Sequence, residues 1–133
     1  MADFGFWNLA QKDPDHLALV TPEERRLSAG ELLARANRLV HGLRALGLGK
    51  GDVVATVLPN SEVVLVAYLA GLQAGFYLVP INHHLTASEI AYILEDSGAK
   101  AFVGSDRFAE TCVGAVNEVR FPERARFALG KVP

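Results

Sequence analysis

Asp52-Val53-Val54-Ala55-Thr56-Val57-Leu58-Pro59-Asn60-Ser61-Glu62 is the stretch that decides the fold. Val53 to Leu58 is a β-branched run with no polar alternation except Thr56, the pattern of a strand buried on both faces of a parallel sheet. Pro59-Asn60-Ser61-Glu62 then supplies turn and helix-start chemistry, so a strand passes directly into a helix. Beyond it, Val63 to Ile81 carries no charged residue, and no Lys or Arg lies between Lys50 and Lys100. That interval approaches the ~20 residues of a bilayer span, and Gly71-x-x-x-Gly75 has the spacing of a membrane helix-dimer face. Gly75 divides it instead. Val63 to Ala74 reads as one helix, and Phe76-Tyr77-Leu78-Val79-Pro80 as the next strand, enriched in aromatic and β-branched types. Neither flank offers the basic residues that anchor a span, so no transmembrane segment is expected.

Towards the N-terminus, Ser28 and Glu31 match a capping box, in which hydroxyl and carboxylate satisfy orphan N–H groups. Leu32, Leu33, Ala36, Leu39, Val40, Leu43 and Leu46 recur at helical spacing and leave Arg35, Arg38 and Arg44 towards water. Gly47 suits the helix end. Before this helix, Phe6 to Gln11 reads as a short helix stopped by Asp13-Pro14-Asp15. Leu17 to Thr21 and Arg25 to Leu27 read as a hairpin turning at Pro22-Glu23-Glu24. Residues 1–27 are therefore a helix-plus-hairpin lead-in.

Towards the C-terminus, Thr86 with Glu89 forms a second capping box, and Ile90, Ile93 and Leu94 line one face of that helix until Asp96-Ser97-Gly98. Lys100 to Gly104 reads as a strand, Asp106 to Val119 as a helix, and Arg126 to Leu129 as a last strand. Residues 28–133 thus alternate helix and strand. The fold class is α/β: an open, mostly parallel sheet with flanking helices, joined by βαβ crossovers.

The chain has 133 residues, 50% of them hydrophobic, with 13 Lys+Arg against 15 Asp+Glu. This suits a folded globular unit and argues against disorder. A net charge of −2 gives no general reason to expect nucleic acid, which needs a clustered basic surface. Cys112 is the only cysteine, so a disulfide framework and a Cys-based metal site are both excluded, and a reducing, cytoplasmic setting is expected. The first seven residues lack the charged and apolar regions of a secretory signal.

Several motifs fail on position. Gly47-Leu48-Gly49-Lys50-Gly51 could cradle an oxyanion, but phosphate loops follow a strand and open a helix. This one follows a helix and opens a strand, so it reads as a turn. There is no G-x-S-x-G elbow, and no catalytic residue is assigned. His83-His84 have no ligand-spaced partner for a metal, and no metal site is expected. They do fall just beyond the strand ending at Pro80, at the edge where open parallel sheets bind ligands. Arg107 stands similarly beyond the next strand. His16 and His41 read as surface residues.

Leu27-Ser28-Ala29-Gly30-Glu31-Leu32 resembles the L-[TS]-Y-x-E-L core of the adenylate-forming (AMP-binding) superfamily, with Ala29 where Tyr is usual. Leu72-Gln73-Ala74-Gly75-Phe76-Tyr77-Leu78-Val79-Pro80-Ile81-Asn82 resembles its L-K-A-G-x-A-Y-x-P-[LI]-D core, with Gln73 for Lys and Asn82 for Asp. Lys50-Gly51-Asp52, Leu58-Pro59-Asn60-Ser61-Glu62 and Asp96-Ser97-Gly98-Ala99-Lys100 follow the family's order. Pro80 to Thr86 is similar to fatty-acyl-CoA synthetases in particular.

The resemblance implies a two-step ligase. Carboxylate and ATP give acyl-adenylate and pyrophosphate, and the CoA thiol then displaces AMP. ATP, Mg²⁺ and CoA are implied for a parent enzyme acting on a fatty acid or other carboxylate, with none held tightly by this chain. The phosphate loop, adenine contacts and catalytic lysine would lie beyond Pro133, so residues 1–133 would be the N-terminal part of the large domain, inactive alone. His83, His84 and Arg107 would lie near the nucleotide part of CoA. An apolar face left uncovered would favour self-association, and peripheral membrane contact stays open. The alternatives are a stand-alone, non-enzymatic α/β module binding a nucleotide or small ligand, and an interaction domain pairing through Val63 to Ala74.

Overall fold

Helix starts and strand burial locate the elements in the computed structural model, which describes residues 5–129. In chain order these are α1 (Phe6–Lys12), β1 (Leu17–Val20), β2 (Arg26–Ser28), α2 (Ala29–Ala45), β3 (Val53–Val57), α3 (Glu62–Ala74), β4 (Tyr77–Pro80), α4 (Ala87–Asp96), β5 (Ala101–Ser105), α5 (Ala109–Glu118) and β6 (Arg126–Leu129). Both capping boxes form. Ser28 Oγ accepts from the Glu31 amide at 3.1 Å and Thr86 Oγ1 from the Glu89 amide at 3.3 Å, while each glutamate accepts from the cap residue's own N–H. Gly75 ends α3 in the left-handed conformation, φ 75°, which glycine adopts without steric cost.

β4, β3, β5 and β6 lie in that order in one parallel sheet, and β1 and β2 form a separate antiparallel hairpin. Side chains alternate across the sheet. Val54 and Val103 pack with Leu43, Ala67 and Phe76 on the side of α2 and α3. Ala55, Val57 and Phe102 pack with Ile90, Leu94, Ala115 and Val116 on the side of α4 and α5. Three layers result, with the sheet between two helix pairs. Ile90, Leu94 and Leu43 are almost wholly buried, and each contributes about 1.5–3 kcal/mol of burial. The hairpin rests outside the sheet, with Leu27 and Leu19 packed on Leu32 of α2 and Val66 of α3.

The charge-free interval is a helix and a strand on opposite sides of Gly75. Among the described residues no helix is long and apolar enough to cross a membrane. Two local expectations need correction. The helix expected from Asp106 to Val119 is interrupted: Asp106–Phe108 form a 3₁₀ turn before α5 begins. Ser105 Oγ accepts from the Arg107 amide at 3.3 Å, which satisfies that donor locally and tightens the turn. Arg35 is half-buried rather than free in water, with its guanidinium 3.9 Å from Glu62 Oε1.

Candidate functional site

The strand order fixes where the sheet can open. From β3 the chain turns to the face carrying α3, and from the adjacent β5 it turns to the opposite face carrying α5. Loops leaving neighbouring strands in opposite directions cannot cover the gap between them, and such switch points are the ligand crevices of open α/β sheets. Here a crevice of about 290 Å³ lies between Pro59-Asn60-Ser61 and Ser105-Asp106-Arg107, roofed by Pro22, Glu23 and Arg25 of the hairpin turn. A larger hollow of about 410 Å³ lies between α5 and β6, lined partly by Phe102, Cys112, Val116 and Phe127. That hollow flanks an edge strand away from the β3 loop, so the crevice is the better candidate despite its smaller volume.

Charge is organised around the crevice. Arg25 donates to Glu62 Oε1 at 2.8 Å, and Glu62 begins α3, where a carboxylate also meets the positive end of the helix. The Glu62 carboxyl is held below the usual range first by its own backbone amide and then by Arg25. Ser105 Oγ donates to Asp106 Oδ1 at 3.4 Å while receiving the Arg107 amide. The 105–107 segment therefore presents its charged side chains from a braced turn.

The three residues singled out in the sequence come together with a fourth. His83 is half-buried and its ring lies parallel to Phe108, with centroids 4.5 Å apart and 9° between planes. His84 is tilted against His83 at 4.2 Å. Arg107 places its guanidinium carbon 5.9 Å from the centre of the Phe108 ring, within cation–π reach. The 81–85 loop is held by the Ile81 amide donating to the Thr56 carbonyl at 2.7 Å and the His84 amide donating to Asn82 Oδ1 at 2.9 Å. Sequence reasoning missed Phe108 by placing it inside a helix. The signal available was an aromatic residue three positions after the end of a buried strand, at the edge where open parallel sheets bind ligands.

The other candidates resolve plainly. Gly47 to Gly51 joins α2 to β3, and its Gly49 amide donates to Asp52 Oδ2 at 2.7 Å while Asp52 Oδ1 accepts from Lys100 at 2.8 Å. The carboxylate therefore occupies an amide that a phosphate would need. Lys100 and the Gly49 amide hold the Asp52 carboxyl below its ordinary value. His16 and His41 are exposed. Among the described residues no three His, Cys, Asp or Glu side chains are grouped to hold a metal ion.

A parallel four-stranded sheet between helix pairs, with a crevice where the β3 and β5 loops part, defines an open α/β fold. The chain belongs to the AMP-binding enzyme family, whose model matches residues 6–127. It is 43% identical over 98 residues to Tyrocidine synthase 2 of Brevibacillus parabrevis, covering 74% of this chain and 3% of that protein. It is 38% identical over 101 residues to the long-chain-fatty-acid--CoA ligase FadD13 of Mycobacterium tuberculosis, covering 73% of this chain and 20% of that one. The solved fatty acyl CoA synthetase of Mycobacterium tuberculosis superimposes with a TM-score of 0.78 at 30% identity, over 93% of this chain and 26% of its own. The chain thus spans a small part of the proteins it matches.

Proposed function

We propose that this chain is the N-terminal part of a carboxylate-activating ligase that forms an acyl-adenylate from a fatty acid and ATP and passes the acyl group to CoA. The observation that carries the reading is the family match across residues 6–127 on a continuous parallel sheet. The likeness to a fatty-acid--CoA ligase and to a fatty acyl CoA synthetase supports CoA as acceptor. In the first step a carboxylate oxygen attacks the α-phosphorus and pyrophosphate leaves. In the second the CoA thiol sulfur attacks the acyl carbon, loses its proton, and AMP leaves. The developing charge in both steps calls for fixed cations, which this reading assigns to segments beyond Pro133.

Within residues 5–129 the role is architectural, with one ligand edge. His83, His84 and Arg107 meet the nucleotide part of CoA, whose phosphates suit a guanidinium and whose adenine suits aromatic rings. The corresponding setting is cytoplasmic. A second reading draws on the 43% identity to Tyrocidine synthase 2: the activated carboxylate passes to a thiol other than that of CoA.

The test uses the intact protein that carries this chain. Carboxylate-dependent ATP–pyrophosphate exchange, followed by CoA-dependent release of AMP with thioester formation, is expected. Exchange without any response to CoA favours the second reading, and no exchange across fatty, aromatic and amino acids rejects both. The 133-residue chain alone is expected to show no exchange. Measurable exchange there would overturn the placement of the chemistry. The source gene is expected to encode a T-S-G-T-T-G-x-P-K-like loop within several tens of codons after Pro133, whereas a stop codon would favour a stand-alone module.

A further inference from the structure

The geometry points to Phe108 as the positioning residue that sets both His83 and Arg107 for the CoA nucleotide; this rests on the reading above that these residues meet it. His83 and Phe108 follow β4 and β5, which are not neighbours in the sheet, since β3 lies between them. β4 and β5 each pair with β3 and not with each other, so beyond the strand ends the two loops meet through side chains.

One ring makes that contact. Phe108 packs against the core formed by Ile90, Phe102 and Val116 among others, and its face receives the His83 ring in a parallel stack. Arg107 lies within cation–π distance of the same ring. The imidazole is thereby held by a core-anchored surface, and the guanidinium by a second contact with it. Holding recognition groups in place before the ligand arrives reduces the ordering cost of binding. An exposed pair of histidines and an arginine on loops without that contact would lack this.

The role is distinct from filling space. Phe108→Leu keeps the apolar packing and removes the ring, whereas Phe108→Tyr keeps the ring. A positioning ring acts on CoA binding and leaves adenylate formation alone, because the first step does not involve CoA. Losing a single aromatic contact corresponds to about a two- to tenfold change in an affinity.

In the intact enzyme, Phe108→Leu is expected to raise the KM for CoA by about two- to tenfold with ATP–pyrophosphate exchange unchanged, and Phe108→Tyr to restore the wild-type KM. The ring protons of His83 are expected to show an upfield ring-current shift by NMR that Phe108→Leu removes and Phe108→Tyr retains. A raised CoA KM in Arg107→Ala together with an unchanged one in Phe108→Leu overturns the role of Phe108 and leaves the CoA reading standing. Unchanged CoA titrations in both Arg107→Ala and His83→Ala overturn the CoA reading, and the inference with it. Equal losses of exchange and thioester formation in Phe108→Leu would show a merely structural residue and overturn the inference as well.

Discussion

The Arg25 guanidinium donates to Glu62 Oε1 at 2.8 Å, joining the hairpin turn to the first residue of α3 across 37 positions of sequence. Arg25 is half-exposed, but the Glu62 side chain is only 13% exposed. The contact therefore lies between a surface ion pair, worth about 0–1 kcal/mol, and a helix-terminus charge of similar value. Glu62→Gln is expected to destabilise the fold by about 1 kcal/mol in urea denaturation and to speed proteolysis in the hairpin. No change in either would remove the clamp.

The same pair predicts a pH dependence. Because the Glu62 carboxyl is lowered when folded, its contribution is complete above the unfolded carboxylate value and is lost as pH falls through the lower folded one. The stability difference between wild type and Glu62→Gln should accordingly be present at neutral pH and shrink below about pH 4.5. A difference that persists unchanged to strongly acidic pH would show that the charge is irrelevant.

Glu24 adopts φ 62°, which costs an L-residue about 1–2 kcal/mol. Its amide donates to the Thr21 carbonyl at 2.9 Å, and the Thr21 amide donates to the Arg25 carbonyl at the same distance, so the turn keeps this geometry whatever residue occupies the position. Glu24→Gly removes the strain while adding freedom to the unfolded chain. A net gain of about 0.5 kcal/mol is expected, read as a small rise in thermal midpoint. A lower midpoint would refute it.

Gly104 sits under α5. A Cβ built there would lie 3.2 Å from Cys112 Sγ and 3.3 Å from the Phe102 ring edge, closer than a packed core accepts without movement. Gly104→Ala is expected to destabilise by about 1–3 kcal/mol. Adding Cys112→Ala removes the nearer atom, so the double variant should recover part of the loss. Strict additivity in the double-mutant cycle would show that the two sites do not touch.

Burial pushes the Cys112 thiol up from its ordinary value, against a smaller opposing hydrogen bond from the Ser105 backbone. Little thiolate is then available at neutral pH, and reaction with a disulfide reagent requires it. Native protein should react slowly and denatured protein fast. Rapid stoichiometric labelling of native protein would contradict the burial.

Much of the fold was legible because its signals are local. Ser28–Glu31 and Thr86–Glu89 announce helix starts by bonds that close within four residues, and Gly75 separates α3 from β4 by its own backbone preference. Val53 to Leu58 was readable as a buried strand because a sheet covered on both faces needs no polar alternation. The break at Phe108 was not legible. Ser105 competes for the Arg107 amide, and helical periodicity does not register a side chain capturing one backbone donor.

The sequence by itself determined the alternation of strand and helix, the helix boundaries set by caps and glycine, and the placement of His83, His84 and Arg107 after strands. Only the tertiary structure decided the order β4-β3-β5-β6, the crevice where the β3 and β5 loops part, and the stacking of His83 on Phe108. The reason is range. Caps, turns and periodicity are settled among neighbours a few residues apart, whereas strand order and ring contacts between separate loops depend on how two helix layers bury opposite faces of one sheet.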